Sequence, residues 1–199
     1  MNCILSSAYL APVSYYVQLY RHQTSWIEVC DNYQKQSYRN RCVIAATDGP
    51  LSLTIPVVKA DGGKMQMKDV KISDHGNWRH LHWNALQSAY RNSPFFEYYA
   101  DDFAPFYERR WMFLADFNDE LCRLVCCLLD IQPDVRRTSS YEAVYSLTED
   151  YRERIHPRLS PATEIRPYYQ VFRDKLGFLP DLSIVDLLFN MGPESILYL

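Results

Sequence analysis

The sequence predicts an α/β fold in a single domain, with a strand-rich part over residues 1–73 and a mainly helical part over residues 74–199. Three observations support this prediction. A strand, a helix and a strand follow one another within residues 2–30, as in a βαβ unit. Helical periodicity dominates from Asn77 onward. With 199 residues, 48% of them hydrophobic, the chain can bury one sizeable core.

The elements of the first part follow from short apolar runs and turn residues. Runs of apolar residues predict strands at 2–6, 25–30, 41–46, 51–57 and 69–73. Helical spacing predicts a helix over 12–21, with Pro12 in its first turn. Asp48 and Gly49 indicate a turn, so that the strands on either side of it form a hairpin. The polar, glycine-bearing residues 59–68 are predicted to form a loop.

The elements of the second part are predicted from helical periodicity and its interruptions. The predicted helices span 77–91, 94–99, 105–131, 168–175 and 184–190. Gly177 is a predicted C-cap, and Ser183 is a predicted N-cap. The charged residues 134–166 are predicted to form a loop with short elements.

Composition excludes several function classes. The net charge of -3 disfavours a nucleic-acid binder. The six glycines have neither dinucleotide-binding nor P-loop spacing, and neither G-x-S-x-G nor H-E-x-x-H occurs. We therefore predict no cofactor and no bound metal.

The N-terminal sequence and the cysteines predict the cellular compartment. The chain has neither a signal-peptide pattern nor an apolar run of about 18 residues, so we expect no membrane insertion. The six scattered cysteines favour a reduced, cytoplasmic protein in which most of them are small buried residues.

His82 is the unusual residue of the predicted helix 77–91. At 100° per residue it lies near the middle of an apolar arc, where the pattern calls for leucine. The arc is formed by Trp78, Leu81, Ala85, Leu86 and Ala89. In one interpretation, His82 is a buried structural residue bonded to a backbone carbonyl or a side chain. In the other, it faces a cleft as a general base.

A second candidate site lies in residues 31–44, where Arg39, Asn40 and Arg41 precede a strand. The planar guanidinium group can hold a phosphate or a carboxylate through two hydrogen bonds, so this cluster suits a phosphorylated or nucleotide-linked metabolite. The alternative is an exposed polar loop in which each arginine pairs with a nearby acid.

Several stretches together resemble the WbqC-like family of bacterial proteins. They are ILSSAYLAPVSYY, YRNRCVI, LSLTIPV, NWRHLHWNALQSAYRNSPFF, YYQVF and GFLPDLSIVDLLFNMGPESILYL. The most specific match is Trp78, four residues before His82. The resemblance implies a role near sugar modification in surface-polysaccharide or O-antigen synthesis. It also implies that Asn40, Arg41 and His82 are site residues, and we add Trp78 and Arg39 as substrate-binding candidates.

This sequence departs from two related patterns near its start. Many relatives carry Gln-Pro and a further Pro-Trp before the first helix, where this chain has Ser6 to Pro12. The opening also resembles the HUP-class, Rossmann-like nucleotidylyltransferases, whose His-x-Gly-His motif binds the transferred phosphate. Residues 12–15 here are Pro-Val-Ser-Tyr, so the resemblance implies a related fold without that chemistry.

Three functions remain open from the sequence. The first is a cytoplasmic transferase that adds an acyl or aminoacyl group to an activated sugar or amino sugar. The second is a non-catalytic binding or assembly protein of the same pathway, whose apolar helix over 111–129 could form a homo-oligomer interface. The third, an RNA-facing protein, rests on interleaved Arg and Tyr at 33–41 and is opposed by the net charge of -3.

Overall fold

The structure is a computed structural model of the chain that describes residues 1–59, 63–146 and 148–199. Its first elements are β1 (Asn2–Ser6), α1 (Val13–Arg21), β2 (Thr24–Glu28), β3 (Arg41–Ala46) and β4 (Gly49–Thr54). Then follow α2 (Trp78–Tyr90), α3 (Phe96–Glu108), α4 (Leu114–Leu128), β5 (Asp134–Arg137), β6 (Thr148–Asp150), α5 (Arg173–Leu176) and α6 (Ile184–Met191). The predicted mixed α/β class is confirmed.

A parallel sheet in the order β5-β2-β1-β6 organises the described residues. Its register aligns Asn2 of β1 with Thr24 of β2 on one side and with Thr148 of β6 on the other. The chain builds outward from β1 through β2 to β5 and then returns to the opposite side of β1 for β6. The order therefore reverses between β1 and β6, which suggests a Rossmann-like arrangement. Ligands of such sheets bind outside the carboxyl ends of the strands at this switch point.

The predicted hairpin is confirmed. Strands β3 and β4 are antiparallel from Arg41, which pairs with Thr54, to Ala46, which pairs with Gly49. Gly49 adopts a φ of 126°, which a residue with a side chain rarely adopts.

The predicted strand at 69–73 does not form. Its residues make only isolated bridges, in which Ile72 pairs with Val57 and Lys71 with Phe113. The predicted loop at 59–68 ends in a short 3₁₀ turn at Met67–Asp69, and residues 60–62 of that loop lie outside the described residues.

The boundary between α3 and α4 differs from the prediction. Helix α3 continues through Pro105 to Glu108, whereas α4 begins only at Leu114. Proline normally disrupts a helix, but Phe103 and Tyr107 on either side of it are buried. Their burial outweighs the loss of one helical hydrogen bond, so the interruption comes after the proline rather than before it.

Two sheet strands come from residues predicted as loop. All residues of β5 are exposed, and β6 consists of Thr-Glu-Asp. Neither strand alternates apolar and polar residues. Both therefore form because they pair with β2 and β1, and not because of their own sequence pattern. No helix in the described part of the chain combines the length and apolar character needed to cross a membrane.

Candidate functional site

The carboxyl ends of β2 and β6 open into a crevice beside the switch point of the sheet. Parallel strands end at the same edge, so the residues that follow β2 meet those that follow β6. The crevice has a volume of about 720 Å³. Its lining includes Asp31, Tyr33, Lys64, Tyr141, Asp150 and Arg152. A volume of this size accommodates a small-molecule ligand.

A buried ion pair joins the wall of this crevice to the loop before β3. Arg39 is 2% exposed and Asp31 is 8% exposed. Arg39 Nη2 donates to Asp31 Oδ2, and Arg39 Nη1 donates to Gln34 Oε1 at 3.4 Å. Burial raises the pKa of Asp31, although Arg39 acts in the opposite direction.

This ion pair leaves one donor and one acceptor unused. Among the residues that the structure describes, neither Arg39 Nε nor Asp31 Oδ1 has a hydrogen-bond partner. A buried polar atom without a partner costs free energy, about 1–3 kcal/mol and more for a charged group. A ligand or an ordered water that bonds to these atoms would recover that cost.

Arg39 itself lines a different and much smaller cavity, which lies at the switch point. This cavity has a volume of about 10 Å³ and is lined by residues of β1, of the loop before β3 and of the segment after β6. Among them are Ser6, Ser37 and Tyr151. Arg39 thus lies between the switch point and the larger crevice, where its partner Asp31 is found.

Arg152 has a structural role in the crevice wall. Its Nη1 donates to Glu28 at 3.3 Å and to the Glu142 carbonyl at 2.9 Å. Its Nη2 donates to Asp150 at 2.6 Å and to the Ala143 carbonyl at 3.2 Å, and its Nε also contacts Asp150. Because all its nitrogens are engaged, Arg152 positions the wall instead of offering a free fork to a ligand.

His82 lies in a buried aromatic cluster and is 5% exposed. Its ring is 5.2 Å from the Trp78 ring, edge to face, and 5.6 Å from the Tyr9 ring, stacked. The apolar arc predicted around His82 is buried at Trp78, Leu86 and Ala89, whereas Leu81 is 59% exposed. Burial lowers the pKa of His82 to about 4, so the imidazole is neutral near pH 7.

The hydrogen bonds around His82 indicate which ring nitrogen carries the proton. The Tyr9 hydroxyl lies 3.0 Å from His82 Nδ1 and 2.9 Å from the Tyr107 hydroxyl. The backbone of Thr54 raises the pKa of His82, as expected where a ring N–H donates to a carbonyl. We infer that Nε2 is protonated and that Nδ1 accepts from Tyr9, which in turn accepts from Tyr107.

Asn40 and Arg41 bind the strand that pairs with them. Asn40 Nδ2 donates to the Ile55 carbonyl at 2.7 Å, and Arg41 Nε donates to Thr54 Oγ1 at 3.1 Å. Arg41 and His82 therefore both contact Thr54, Arg41 at its hydroxyl and His82 at its backbone. Arg39 instead lines the small cavity at the switch point and pairs with Asp31 of the crevice wall. The structure thus brings Arg41 and His82 to the same residue, Thr54, and gives Arg39 a different partner.

His82 and Arg41 do not line the crevice. In the parts of the chain that are described, neither residue belongs to the lining of the larger cavities. Access of a substrate to His82 Nδ1 would require displacement of the Tyr9 hydroxyl. The catalytic role of His82 and the binding roles of Arg39, Asn40, Arg41 and Trp78 stay predictions.

Sequence reasoning did not single out Asp31, Tyr9 or Asn118. Asn118 Nδ2 donates to the Arg39 carbonyl at 2.8 Å and to Ser7 Oγ at 3.1 Å, which ties α4 to both loops at the switch point. The only signal for Asp31 was its position just after an apolar strand. Nothing in the local pattern distinguishes Tyr9 or Asn118 from ordinary core residues.

The N-terminus of α1, where many Rossmann-like proteins bind phosphate, carries an internal carboxylate. Asp181 accepts hydrogen bonds from the Ser14 backbone N–H at 2.7 Å and from its hydroxyl at 2.8 Å. A phosphate at this position would have to displace Asp181. This agrees with the absence of the HUP-class motif from residues 12–15.

The potential metal ligands are dispersed. No group of three or more His, Cys, Asp or Glu side chains within residues 1–59, 63–146 and 148–199 is arranged to hold a metal ion.

Most of the residues described above fall within the part of the chain that is similar to known proteins. The family model of the WbqC-like protein family matches residues 7–159. The uncharacterised protein Rv1507c of Mycobacterium tuberculosis is 30% identical over 193 residues, which span 84% of this chain and 83% of that protein. No solved structure matches the chain at a significant level. The family match includes Asp31, Arg39 and His82.

Proposed function

Because the chain belongs to the WbqC-like protein family, we propose that it is a cytoplasmic transferase that acts on an activated sugar or amino sugar. The reaction is acyl or aminoacyl transfer in the synthesis of surface polysaccharide. The sugar, carried on a phosphate or nucleotide, binds in the crevice at the carboxyl ends of β2 and β6.

The observation that carries this proposal is the buried Arg39–Asp31 pair beside the switch point. Asp31, which lines the crevice, leaves Oδ1 as an acceptor for a sugar hydroxyl or ammonium group, and Arg39, which is buried and paired with it, leaves Nε as a donor. Lys64 and Tyr33 in the same lining add a positive charge and an aromatic surface. The crevice therefore combines groups that suit a phosphorylated sugar.

In the proposed transfer, the bond that forms is matched by a bond that breaks. The sugar amine attacks the carbonyl carbon of an activated acyl ester or thioester, so that a C–N bond forms and the bond to the leaving group breaks. The leaving group departs with the bonding electron pair, and the amine proton is transferred to a base and then to the leaving group. His82 is the proposed base, because its imidazole is neutral at pH 7 and has a lone pair on Nδ1. Since the ring lies outside the crevice lining, this role requires the Tyr9 hydroxyl to move away from Nδ1 so that the sugar amine can reach it.

The other proposed site residues support the base or the substrate. Trp78 holds the His82 ring by edge-to-face contact. Asn40 and Arg41 are proposed substrate-binding residues at the adjoining strand, where Arg41 and His82 both contact Thr54.

The second candidate function is a non-catalytic binding or assembly protein of the same pathway. The burial of His82 favours it, because a ring that is 5% exposed and hydrogen-bonded to Tyr9 is held as a structural residue would be. Such a protein would use the crevice in the same way but would transfer no group.

Calorimetric titration with nucleotide-linked amino sugars, combined with turnover assays using acyl thioesters, tests both candidates. We expect Arg39→Lys to weaken binding by about tenfold or more, because lysine lacks the planar fork. The matched control Arg91→Lys changes an exposed arginine directly after α2 and is expected to bind like the wild type.

The two candidates give different outcomes. Loss of turnover in His82→Gln with unchanged sugar affinity supports the transferase, whereas full turnover in that variant contradicts the role of His82. Sugar binding without turnover with any donor supports the non-catalytic protein. An absence of sugar binding contradicts both.

A further inference from the structure

A separate cavity of about 440 Å³ lies between α4 and the edge strand β5. Asn118, Cys122 and Cys126 recur every four residues, so they share the face of α4 that lines it. Apolar groups from the sheet and from the loop before β5 form much of the remaining wall, notably Ile27, Ile131 and Val135. The cavity therefore has an apolar stretch of wall, which lies beside polar and charged side chains.

The charged residues of its lining are three arginines, Arg123, Arg136 and Arg137, and two acids, Asp119 and Asp130. Arg123 and Arg136 each pair with one exposed acid, namely Glu120 and Asp134. Arg137 is engaged by Asp116 and Asp119 on α4. Since exposed pairs contribute at most about 1 kcal/mol, Arg123 and Arg136 are available to an anionic head group.

A polar atom at the inner side of the cavity also lacks a partner. Asn118 is 1% exposed, and its Oδ1 accepts no hydrogen bond from the described residues. Its Nδ2 donates to the Arg39 carbonyl at 2.8 Å. The same side chain thus lines the cavity and contacts the backbone of Arg39, whose partner Asp31 belongs to the crevice wall.

The cavity adjoins the switch point. Ala8 and Tyr15 line both this cavity and the small cavity that contains Arg39. Through these shared residues the α4–β5 cavity adjoins the small cavity that Arg39 lines, and Arg39 in turn pairs with Asp31 of the crevice wall.

We propose that the α4–β5 cavity binds an acyl chain with an anionic head group, which is the donor class of the proposed transfer. The apolar wall takes the chain, and Arg123 and Arg136 at the rim hold the negative charge. This inference rests on the proposed function for the ligand's role as donor, whereas binding of the chain itself is measured without any sugar.

The cysteines of the cavity provide the readout. Cys122 is half-buried and Cys127 is exposed, and both line the cavity, whereas Cys3 and Cys42 are fully buried elsewhere. The full chain is alkylated with iodoacetamide with and without octanoate, and the rate at each cysteine is followed by mass spectrometry. We expect octanoate to slow alkylation of Cys122 and Cys127 at least fivefold. The rates at Cys3 and Cys42 report any global stabilisation.

Two matched controls test the chain and the head group separately. Val135→Phe is expected to fill the cavity and abolish protection, whereas Val144→Phe, at a residue that is 79% exposed, is expected to leave protection unchanged. Octyltrimethylammonium, which has a chain of the same length and the opposite charge, is expected not to protect.

Absence of protection by octanoate, or equal protection in Val135→Phe, would overturn the proposed cavity. Equal protection by octyltrimethylammonium would overturn the role of the arginines. Protection by octanoate in a protein that binds no nucleotide-linked sugar would instead remove the proposed function and leave this binding site standing.

Discussion

His82 shows how burial decides the state of a single titratable residue. Helix α2 directs the ring into an aromatic cluster, where no opposite charge stabilises the imidazolium form, and the pKa of the ring falls from 6.5 to about 4. The ring nevertheless keeps its hydrogen bonds, because Tyr9 and the Thr54 backbone face its two nitrogens. A neutral imidazole with both nitrogens hydrogen-bonded stabilises the cluster.

The pH dependence of stability tests this state. The unfolded chain takes up a proton at His82 as the pH falls below 6.5, whereas the folded chain does so only near pH 4. The contribution of His82 to the free energy of unfolding is therefore full above pH 6.5 and is lost progressively towards pH 4. The expected loss is roughly 3 kcal/mol.

Urea denaturation of the wild type and of His82→Gln at several pH values measures this contribution. Burial raises the pKa of Asp181 and Asp186, and these carboxyls act with the opposite sign in part of the same range. The difference between the two proteins cancels their effect, because both share these groups. A difference that does not change between pH 4 and pH 6.5 would show that the His82 pKa is not lowered.

At the scale of elements, α1 depends on a residue far away in the sequence. Its N-cap residue is Pro12, which provides no side-chain hydrogen bond, and its first turn contains no acidic residue. Asp181, which precedes α6, supplies the missing acceptor by bonding to Ser14. The carboxylate also interacts favourably with the positive end of the helix dipole.

Asp181→Ala is expected to lower the free energy of unfolding by about 1–3 kcal/mol, since two charge-assisted hydrogen bonds are lost. Asp181→Asn should lose less, because asparagine keeps an acceptor and tolerates the observed φ of 55°. Urea denaturation monitored by circular dichroism measures both effects. Equal stability of Asp181→Ala and the wild type would refute the cap.

At the scale of the whole molecule, the switch point depends on a short strand held by ion pairs. Strand β6 pairs with β1 through only three residues. Arg152, just after β6, joins the fully buried Glu28 of β2 to Asp150 and to the backbone of residues 142 and 143. This arginine therefore connects segments on both sides of β1 and keeps the crevice wall in place.

Removal of this connection should destabilise the whole protein. Arg152→Met leaves Glu28 buried without its cation, so we expect a loss of about 3–5 kcal/mol. The control Arg154→Met removes an exposed guanidinium over the Tyr151 ring and should cost less than about 1 kcal/mol. Denaturation gives the free energies, and hydrogen exchange at the Tyr151 amide reports whether the segment after β6 detaches. Equal losses in the two variants would contradict the role of Arg152.

Sequence reasoning located the elements whose own residues carry a strong pattern. Strands β1 and β3 have their predicted bounds, and α1 and α2 differ from prediction by one residue at most at each end. Apolar periodicity and turn residues act over a few neighbouring positions, so a single sequence displays them directly. The same periodicity placed His82 on the apolar face of α2 but left open whether the ring is buried or faces a cleft.

The sequence by itself determined the α/β class, the βαβ opening, the hairpin and the helix that carries His82. Only the tertiary structure decided that polar residues 134–137 and 148–150 complete the sheet, and hence where its order reverses. It also decided that Asp31 pairs with Arg39 and that α4 leaves a cavity beside β5. The physical reason is that edge pairing, buried ion pairs and cavities depend on which segments, far apart in the sequence, come into contact. A local sequence pattern does not contain that information.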